Sequence, residues 1–402
     1  MGARRPHFEH SEDRGERDTV GSLSPLWPFV AAPHVRPDFR DFQRPREVPG
    51  ATAPPPLYQA RPERYNGPRR FPVPITRDIE SAAAALREGK LVAFPTETVY
   101  GLGADAENVT AVGRIFAVKQ RPADHPLIVH IASAGELPRW AAHVPDAAWK
   151  LAEAYWPGPL TLLLPKAARV PDQTTGGLGN VGLRVPAHPM ALELLRSFAG
   201  GIAAPSANRF GRVSPTCAQH VREDLGDEVD VLLDGGSCDV GVESTIVDLT
   251  RKEPLLLRPG GVTADAIEAL LGVKLSRTAP TDARAPGMLA SHYAPLARVE
   301  LVASVELAAR ARALELGGAR VVVLVSSADD RVALSQLTGV GLLDLGASDH
   351  AAAQRLYGAL RQADVQGADV VLASPPAARD ARGIAEALTD RLTKAAGPRQ
   401  AS

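Results

Sequence analysis

The chain contains 402 residues, with 45 Lys and Arg against 46 Asp and Glu, and this net charge of −1 argues against a broad basic face that grips nucleic acid. Cys217 and Cys238 are its only cysteines and have no CxxC spacing, which argues against a disulfide scaffold or a cysteine-rich zinc site. With no apolar run long enough to span a bilayer and no hydrophobic signal core, the sequence predicts a cytoplasmic protein with no membrane partner.

Residues 1–72 differ in composition from the rest of the chain. They are rich in proline and arginine, are interspersed with acidic residues, and contain no lysine. Such a segment cannot bury enough apolar surface to offset the entropy lost on ordering. The sequence therefore predicts a disordered extension, and an over-extended gene start is the alternative.

Residues 73–275 alternate strand-like apolar runs with helical patterns. Helical spacing is predicted at 76–88, from 109 to about 119, and at 145–155, 190–198, 218–224 and 263–270. Strands are predicted at 91–94, 127–131, 160–164, 182–185, 202–204, 231–233, 245–248 and 255–257. The pattern indicates one α/β domain of about 200 residues, which is an ordinary size for a single core.

A linker at 276–298 contains Pro286-Gly287-Met288 and, after three residues, His292-Tyr293-Ala294-Pro295. From 299 to 398, strand-like and helical segments alternate again. This alternation implies parallel pairing through right-handed crossovers. The sequence therefore predicts a smaller, Rossmann-like parallel α/β domain at the C-terminus.

Two polar segments interrupt the early apolar runs of the first domain. Their notable side chains are Thr96, Thr98 and Tyr100 in the first segment and Lys119, Arg121, His125 and His130 in the second. Lys119 and Arg121 would point to different faces of a regular helix, but Pro122 favours an extended residue before it, which would let both cations reach one anion. An arginine fork suits a phosphate. The alternative is a solvated helix end with ordinary surface charges.

Two further polar segments follow later strands. Ser206, Asn208 and Ser214 come after the apolar run 202–204, and Ser244 and Arg258 flank the last two predicted strands. Ligands of open α/β sheets tend to lie at strand ends, although a serine-asparagine turn is also a common loop composition. Residues 177–182 fit GxGxxG but precede a strand rather than opening a helix, so they fail as a dinucleotide fingerprint.

Together these segments resemble the Sua5/YrdC/YciO family, which includes the L-threonylcarbamoyl-AMP synthases. The resemblance covers roughly residues 75–272, and the linker and C-terminal segment are similar to the two-domain Sua5 form. The motifs that carry it are PTETVYGLG (95–103), KQRPADHPLIVH (119–130), WPGPLT (156–161), LRVPAHP (183–189), APSAN (204–208), SPT (214–216), GVESTIVD (241–248) and LLRPGG (256–261).

The resemblance implies a fold and an activity. The fold would be a YrdC-like twisted α/β domain with a concave ligand cavity, joined to the C-terminal domain. The activity would be formation of threonylcarbamoyl-adenylate and diphosphate from L-threonine, bicarbonate and ATP, with Mg²⁺ accompanying the ATP. The product would serve N6-threonylcarbamoyl modification of adenosine 37 in tRNA, with tRNA or a downstream threonylcarbamoyl-transferase complex as further partners.

The resemblance also implies roles for individual residues. It implies no nucleophilic residue and no protein metal ligand. ATP would be bound by Lys119, Arg121, His125, Asn180, Ser206, Asn208, Ser214 and Arg258. Threonine would be held by Thr98, His130, Arg184 and Ser244, with Thr96 and Tyr100 shaping its pocket.

One departure from the family pattern and two rival functions remain. The family's linker usually carries basic, aromatic and basic residues where this chain has Leu289, Ala290 and Ser291, so we expect a weakened lid and looser ATP retention.

One rival is a carbamoyl-transfer domain of the hydrogenase-maturation type, disfavoured because no acylphosphatase-like or cysteine-rich module precedes the domain. The other is a non-catalytic RNA-binding module, disfavoured by the near-zero net charge.

Overall fold

The computed structural model describes residues 73, 75–278, 284–289, 292–376 and 383–398. The extension predicted at 1–72 lies outside these residues, as do Ala290 and Ser291 of the linker. Within the described part, no helix is long and apolar enough to cross a membrane. The domain boundaries drawn from the sequence stay a prediction.

Ten described strands form one mixed, twisted sheet. They are β1 (Ile75–Thr76), β2 (Val92–Phe94), β3 (Gly101–Asp105), β4 (Ile128–His130), β5 (Leu160–Pro165), β6 (Asn180–Arg184), β7 (Ile202–Ala203), β8 (Val231–Leu233), β9 (Thr245–Asp248) and β10 (Leu255–Arg258). Their spatial order is β1-β8-β2-β3-β7-β4-β6-β5-β9-β10. Parallel pairs such as β4 with β6 stand beside antiparallel pairs such as β4 with β7. The sheet is therefore neither a hairpin meander nor a purely parallel stack.

Both faces of this sheet are covered, because successive side chains of a strand point to opposite faces. Around β2, Leu91 and Ala93 belong to the largest hydrophobic cluster. Val92 and Phe94 instead pack in a second cluster with the helices α1 (Ile79–Arg87) and α6 (Pro189–Phe198). This two-sided burial explains why the strands read as continuous apolar runs rather than as alternating ones.

The remaining helices of this part begin and end at local signals. They are α2 (Val109–Lys119), α3 (Leu137–Trp140), α4 (Asp146–Tyr155), α5 (Asp172–Thr175), α7 (Ala218–Leu225) and α8 (Ala264–Leu271). Asn108 caps α2 by accepting a hydrogen bond from the Ala111 amide at 3.0 Å. The helix ends at Gln120, whose φ of 53° and ψ of 42° are left-handed.

Strand β3 was not predicted, because its sequence Gly-Leu-Gly-Ala-Asp resembles a turn. It lies between β2 and β7. A Cβ at Gly103 would lie 2.7 Å from Ile202 Cγ2 and 2.8 Å from Phe94 Cε1, so the neighbouring side chains already fill that space. The helix predicted from residue 76 begins only at Ile79, because Ile75–Thr76 pair as strand β1 and Asp78 is the N-cap of α1.

The C-terminal part is an α/β unit with a four-stranded sheet in the order β11-β14-β12-β13. Each neighbouring pair is parallel, which confirms the prediction of a parallel, Rossmann-like arrangement. Its elements are β11 (Arg298–Leu301), α9 (Leu307–Leu316), β12 (Val321–Val325), α10 (Ala328–Leu334), β13 (Val340–Asp344), α11 (Asp349–Val365), β14 (Val370–Ala373) and α12 (Ile384–Ala395). A hydrophobic cluster that includes Val99, Val213 and Val242 continues into Tyr357 and Leu388, so this unit packs directly on the first.

Candidate active site

A cavity lies over one face of the ten-stranded sheet. Ile128 and His130 of β4 both line it, whereas Val129 between them belongs to the largest hydrophobic cluster on the opposite face. The sequence predicted ligand contacts at the ends of strands, and much of the lining lies there: His130, Arg184 and Arg258 are the last residues of β4, β6 and β10.

Eleven of the fourteen residues predicted to bind ligand line this cavity. They are Thr96, Thr98, Tyr100, Lys119, Arg121, His130, Arg184, Ser206, Asn208, Ser244 and Arg258. Segments separated by up to 162 positions in the chain therefore meet around one space, since Thr96 and Arg258 both line it. Roles for individual residues stay predictions.

The turn after β2 is fixed by its own hydroxyl groups. Thr96 Oγ1 lies 2.8 Å from Thr98 Oγ1 and donates to the Val99 carbonyl at 2.6 Å. The Tyr100 hydroxyl donates to the Gly236 carbonyl at 2.7 Å and accepts from the Gly235 amide at 3.2 Å. Burial raises the pKa of Tyr100 far above its usual range, so this hydroxyl stays protonated and braces the wall.

Lys119 and Arg121 reach the same cavity because of the residue between them. Gln120, in the left-handed conformation, ends α2 between them, whereas the sequence prediction relied on Pro122 alone. Lys119 Nζ donates to the carbonyls of Ser206 and Asn208. Arg121 Nη2 donates to the Pro126 carbonyl at 3.0 Å. Burial, the main cause in each case, lowers the pKa of Lys119 well below its usual range and that of Arg121 to about 10.

Arg258 is bound to Ser244 and to the linker. Its Nε and Nη2 atoms donate to the Ser244 carbonyl at 3.0 and 2.9 Å, and Nη2 lies 3.1 Å from Ser244 Oγ. Its Nη1 donates to the Pro286 carbonyl at 2.9 Å. Ser244 Oγ also lies 2.7 Å from Thr161 Oγ1. One guanidinium thus holds together β10, the start of β9 and the linker.

His130 offers a neutral imidazole to the cavity. Its side chain is buried at the end of β4, and its Nδ1 has no hydrogen-bond partner among the described residues. Burial, assisted by the positive charge of Arg184, lowers the pKa of His130 to about 3. The ring is therefore uncharged at neutral pH.

Comparisons with known proteins match nearly all of the part that the structure describes. Residues 84–260 match the Sua5/YciO/YrdC family model, described as telomere recombination, and residues 262–397 match the model for the threonylcarbamoyl-AMP synthase C-terminal domain. A threonylcarbamoyl-AMP synthase of Pyrococcus abyssi is 44% identical over 333 residues, which is 80% of this chain and 94% of that protein. The chain belongs to the Sua5 family of threonylcarbamoyl-AMP synthases.

Other relatives and solved structures agree with the Sua5 assignment. A threonylcarbamoyl-AMP synthase of Bacillus subtilis is 40% identical over 328 residues, covering 80% of this chain and 93% of that protein. The crystal structure of Pyrococcus abyssi Sua5 in complex with L-threonine superposes with a TM-score of 0.73 at 43% identity, covering 79% of this chain and 94% of that one. A doubly substituted form of the same Sua5 gives a TM-score of 0.74 at 42% identity, covering 79% and 92%.

Three predicted ligand residues of this Sua5-family chain lie outside the cavity lining. Ser214 is fully buried, and its Oγ donates to Glu243 Oε1 at 2.7 Å. The His125 ring packs edge-on against Phe210, with 5.3 Å between the ring centroids. Asn180 begins β6, whereas Arg184 ends it, which separates the two by roughly 13 Å of extended chain. Their roles in ATP binding stay predictions.

Sequence reasoning missed several residues of this Sua5 cavity. The cavity is also lined by Glu243, Phe210, Gly287, His292 and Tyr293. All of these except Phe210 belong to the sequence motifs named above. Burial, with smaller effects of charged neighbours, lowers the pKa of His292 to about 3, so it adds no charge at neutral pH. Glu243 was missed because a carboxylate is not expected in a site for anions. Arg391, the residue that neutralises it, lies 148 positions away in the sequence.

The described residues contain no group of three or more His, Cys, Asp or Glu side chains placed to hold a metal ion. The donors that face the cavity are mostly cations and hydroxyls, which suit anionic oxygen better than a divalent cation. The involvement of Mg²⁺ stays a prediction.

Proposed function

We propose that this chain is an L-threonylcarbamoyl-AMP synthase that converts L-threonine, bicarbonate and ATP to threonylcarbamoyl-adenylate and diphosphate. The observation that carries the proposal is the convergence of Lys119, Arg121, Arg184 and Arg258 on one cavity that also presents hydroxyl groups. Its relatives of 40% and 44% identity carry this enzyme name, and a similar Sua5 was solved with L-threonine.

The cavity would perform the reaction mainly by positioning. The threonine amine attacks the carbon of bicarbonate, which gives a carbamate and water. A carbamate oxygen then attacks the α-phosphorus of ATP and the bond to the β-phosphate oxygen breaks, which releases diphosphate. Two anions must be brought into line against their mutual repulsion, so fixed cations and exclusion of water supply most of the rate.

Charge and burial support a division of the cavity between the two substrates. Lys119, Arg121 and Arg258 would bind the nucleotide, together with Ser206 and Asn208 of the loop after β7. Arg184 would pair with the threonine carboxylate as a fork. The neutral His130 ring and Ser244 can donate or accept hydrogen bonds there without adding charge. Mg²⁺ would arrive with the ATP and screen its phosphates.

No side chain need form a covalent intermediate in this scheme. Burial raises the pKa of both cysteine thiols, Cys217 and Cys238, so both stay protonated thiols. The product is a mixed carboxylic–phosphoric anhydride and must be passed to an acceptor. We propose adenosine 37 of tRNA as the final acceptor, reached through a transferase complex in the cytoplasm.

Diphosphate release is the assay that tests the function. Release from ATP should require both threonine and bicarbonate. Arg121→Ala and Ser244→Ala should each depress it by roughly tenfold or more without unfolding the chain. Arg169→Ala is the control, because Arg169 pairs with Glu107 outside the cavity and its loss should leave the rate unchanged.

Two results would contradict the proposal. Normal turnover in both the Arg121 and Ser244 variants would refute the site. Salt-sensitive RNA binding by the wild type without any ATP turnover would favour the RNA-binding alternative.

A further inference from the structure

Glu243 places a carboxylate in the wall of a cavity otherwise rich in cations. Among the described residues that line the cavity, Lys119, Arg121, Arg184 and Arg258 carry positive charge and Glu243 is the single carboxylate. Its side chain is buried. An uncompensated negative charge at this position would repel the phosphates that the proposed function brings to the cavity.

Both oxygens of this carboxylate have partners. Glu243 Oε1 accepts a hydrogen bond from Ser214 Oγ at 2.7 Å. Oε2 accepts from Tyr357 Oη at 2.8 Å and from Arg391 Nε at 2.7 Å. Tyr357 lies on α11 and Arg391 on α12. The C-terminal α/β unit therefore supplies the counter-ion for a carboxylate of the cavity wall.

Arg391 is held rigidly at this junction. Its side chain is fully buried, and its Nη2 donates to the Pro259 carbonyl at 3.0 Å. Its guanidinium carbon lies 5.1 Å from the centroid of the Tyr293 ring, and Nη1 pairs with Asp390.

The carboxylate is charged at neutral pH because of this arrangement. Burial by itself would raise the pKa of Glu243, but the positive charges of Arg391 and Arg258 outweigh burial and lower it to about 2. The titratable and charged groups that face Glu243 are Arg258, His292, Tyr293, Tyr357 and Arg391.

We propose that Arg391 is a positioning residue that neutralises Glu243 and so keeps the cavity receptive to the anionic nucleotide. The C-terminal unit thereby sets the affinity for ATP although none of its described residues lines the cavity. This inference rests on the proposed function, since it requires that the cavity bind ATP. It predicts that the charge of Glu243, rather than the bulk of Arg391, decides whether ATP binds.

The test is calorimetric titration of the full chain with Mg-ATP. Arg391→Met should weaken ATP binding by roughly tenfold to a hundredfold, because it leaves Glu243 unpaired. The double variant Arg391→Met/Glu243→Gln, which removes both charges of the pair, should bind ATP within roughly threefold of the wild type. A folded double variant as weak as Arg391→Met alone would overturn the proposal.

The pH dependence of binding gives a second readout that a purely structural role would not move. Without Arg391, burial should raise the pKa of Glu243, so protonation at mildly acidic pH would remove the repulsive charge. Relative to the wild type, ATP affinity of Arg391→Met should therefore recover as pH falls from about 8 to about 5.5. A profile parallel to that of the wild type would contradict this account.

An arginine of α11, Arg361, provides a matched control for Arg391. Arg361 Nη1 and Nη2 lie 2.9 and 2.6 Å from the Asp224 carboxylate oxygens. This ion pair, like that of Arg391, joins the C-terminal unit to the first domain. Arg361→Met should lower thermal stability while the Kd for ATP stays within roughly threefold of the wild type. The same loss of ATP affinity as in Arg391→Met would show a general effect of domain contact and would overturn the proposal.

The outcomes also separate this inference from the proposed function. If Arg391→Met does not fold, the double variant carries the test, because it lacks the unpaired carboxylate; a folded double variant that binds ATP more than roughly tenfold more weakly than the wild type would then overturn the proposal. A wild-type chain that binds no ATP would defeat the proposed function itself. A wild-type chain that binds ATP, with an Arg391→Met variant that binds it equally well, would defeat only the role of Arg391.

Discussion

Arg184 Nη2 donates to Glu97 Oε1 at 2.6 Å, and both side chains are less than a tenth exposed. The second Glu97 oxygen accepts from the Ala187 amide at 2.9 Å, so the carboxylate is anchored to the backbone. Arg184 Nε donates to the Gly158 carbonyl at 3.3 Å. Glu97 therefore sets the orientation in which Arg184 presents its guanidinium to the cavity.

Replacing Glu97 should disturb the threonine site. Glu97→Gln removes the charge that orients Arg184, so we expect the KM for threonine to rise roughly tenfold and the free energy of unfolding to fall by about 3 kcal/mol. Steady-state kinetics and denaturant unfolding measure the two effects. Glu107→Gln is the control, because Glu107 is 30% exposed in its ion pairs and should change stability by less than about 1 kcal/mol. An unchanged KM for threonine in Glu97→Gln would contradict the prediction.

Lys119 should matter for the loop after β7 as well as for ATP. Lys119→Met keeps an aliphatic side chain but leaves the buried carbonyls of Ser206 and Asn208 without their donor, at a cost of about 1–3 kcal/mol each. ATP affinity should fall at least tenfold, measured by calorimetry beside denaturant unfolding. Lys166→Met removes a lysine that pairs with Asp172 outside the cavity and serves as control. Stability and Kd that match this control would count against the prediction.

Acid should destabilise the fold through buried histidines. Burial lowers the pKa of His130, His220 and His292 to about 3, against 6.5 in the unfolded chain. Between these values the unfolded state binds more protons, so stability is complete above pH 6.5 and falls as pH decreases. Each histidine should cost about 2 kcal/mol between pH 7 and pH 5.

His220 offers a single-site check of this pH dependence. Its Nδ1 accepts a hydrogen bond from the Thr216 amide at 3.2 Å, which requires an unprotonated nitrogen. His220→Gln should make the loss of stability between pH 7 and pH 5 smaller by about 2 kcal/mol, as measured by urea unfolding. A loss identical to that of the wild type would show that His220 does not titrate in this way.

Gly287 should be indispensable to the linker. It has a φ of +81°, and an added Cβ would lie 2.2 Å from Tyr293 Oη. Gly287→Ala should displace the neighbouring Pro286 carbonyl from Arg258 and lower diphosphate release at least tenfold. Gly272→Ala is the matched control, since Gly272 has a φ of +69° but open space, and its change should cost only about 1–2 kcal/mol of stability. Equal activity of the two variants would refute the prediction.

The unusual linker residues give a gain-of-affinity prediction. Installing Lys, Tyr and Lys at Leu289, Ala290 and Ser291 restores the basic–aromatic–basic pattern of the family and should lower the Kd or KM for ATP, because the added cations and ring would close over the nucleotide. Ala290→Tyr alone separates the aromatic contribution from the charges. No decrease in either constant for the triple variant would show that this departure does not loosen ATP retention.

The locally encoded features were predictable from the sequence. The strand runs around Val92, Ile128 and Leu255 and the helix cap at Asn108 follow from apolar runs and capping chemistry within a few residues. Strand β3 was not predictable, since Gly101 and Gly103 have no intrinsic preference for extended structure. They are extended because β3 pairs with β2 on one side and with β7 on the other, and Phe94 and Ile202 leave room only for a hydrogen at Gly103.

Sequence by itself therefore determined the family, the α/β class and most of the side chains that meet in the cavity, because motif identity and hydrophobic periodicity are written in neighbouring residues. Which charged side chains pair with one another was decided only by the tertiary structure. Glu243 and Arg391 lie 148 positions apart, and their pairing depends on how α12 packs against the first domain. Electrostatic compensation acts through space over a few ångströms, whereas sequence patterns report only proximity along the chain.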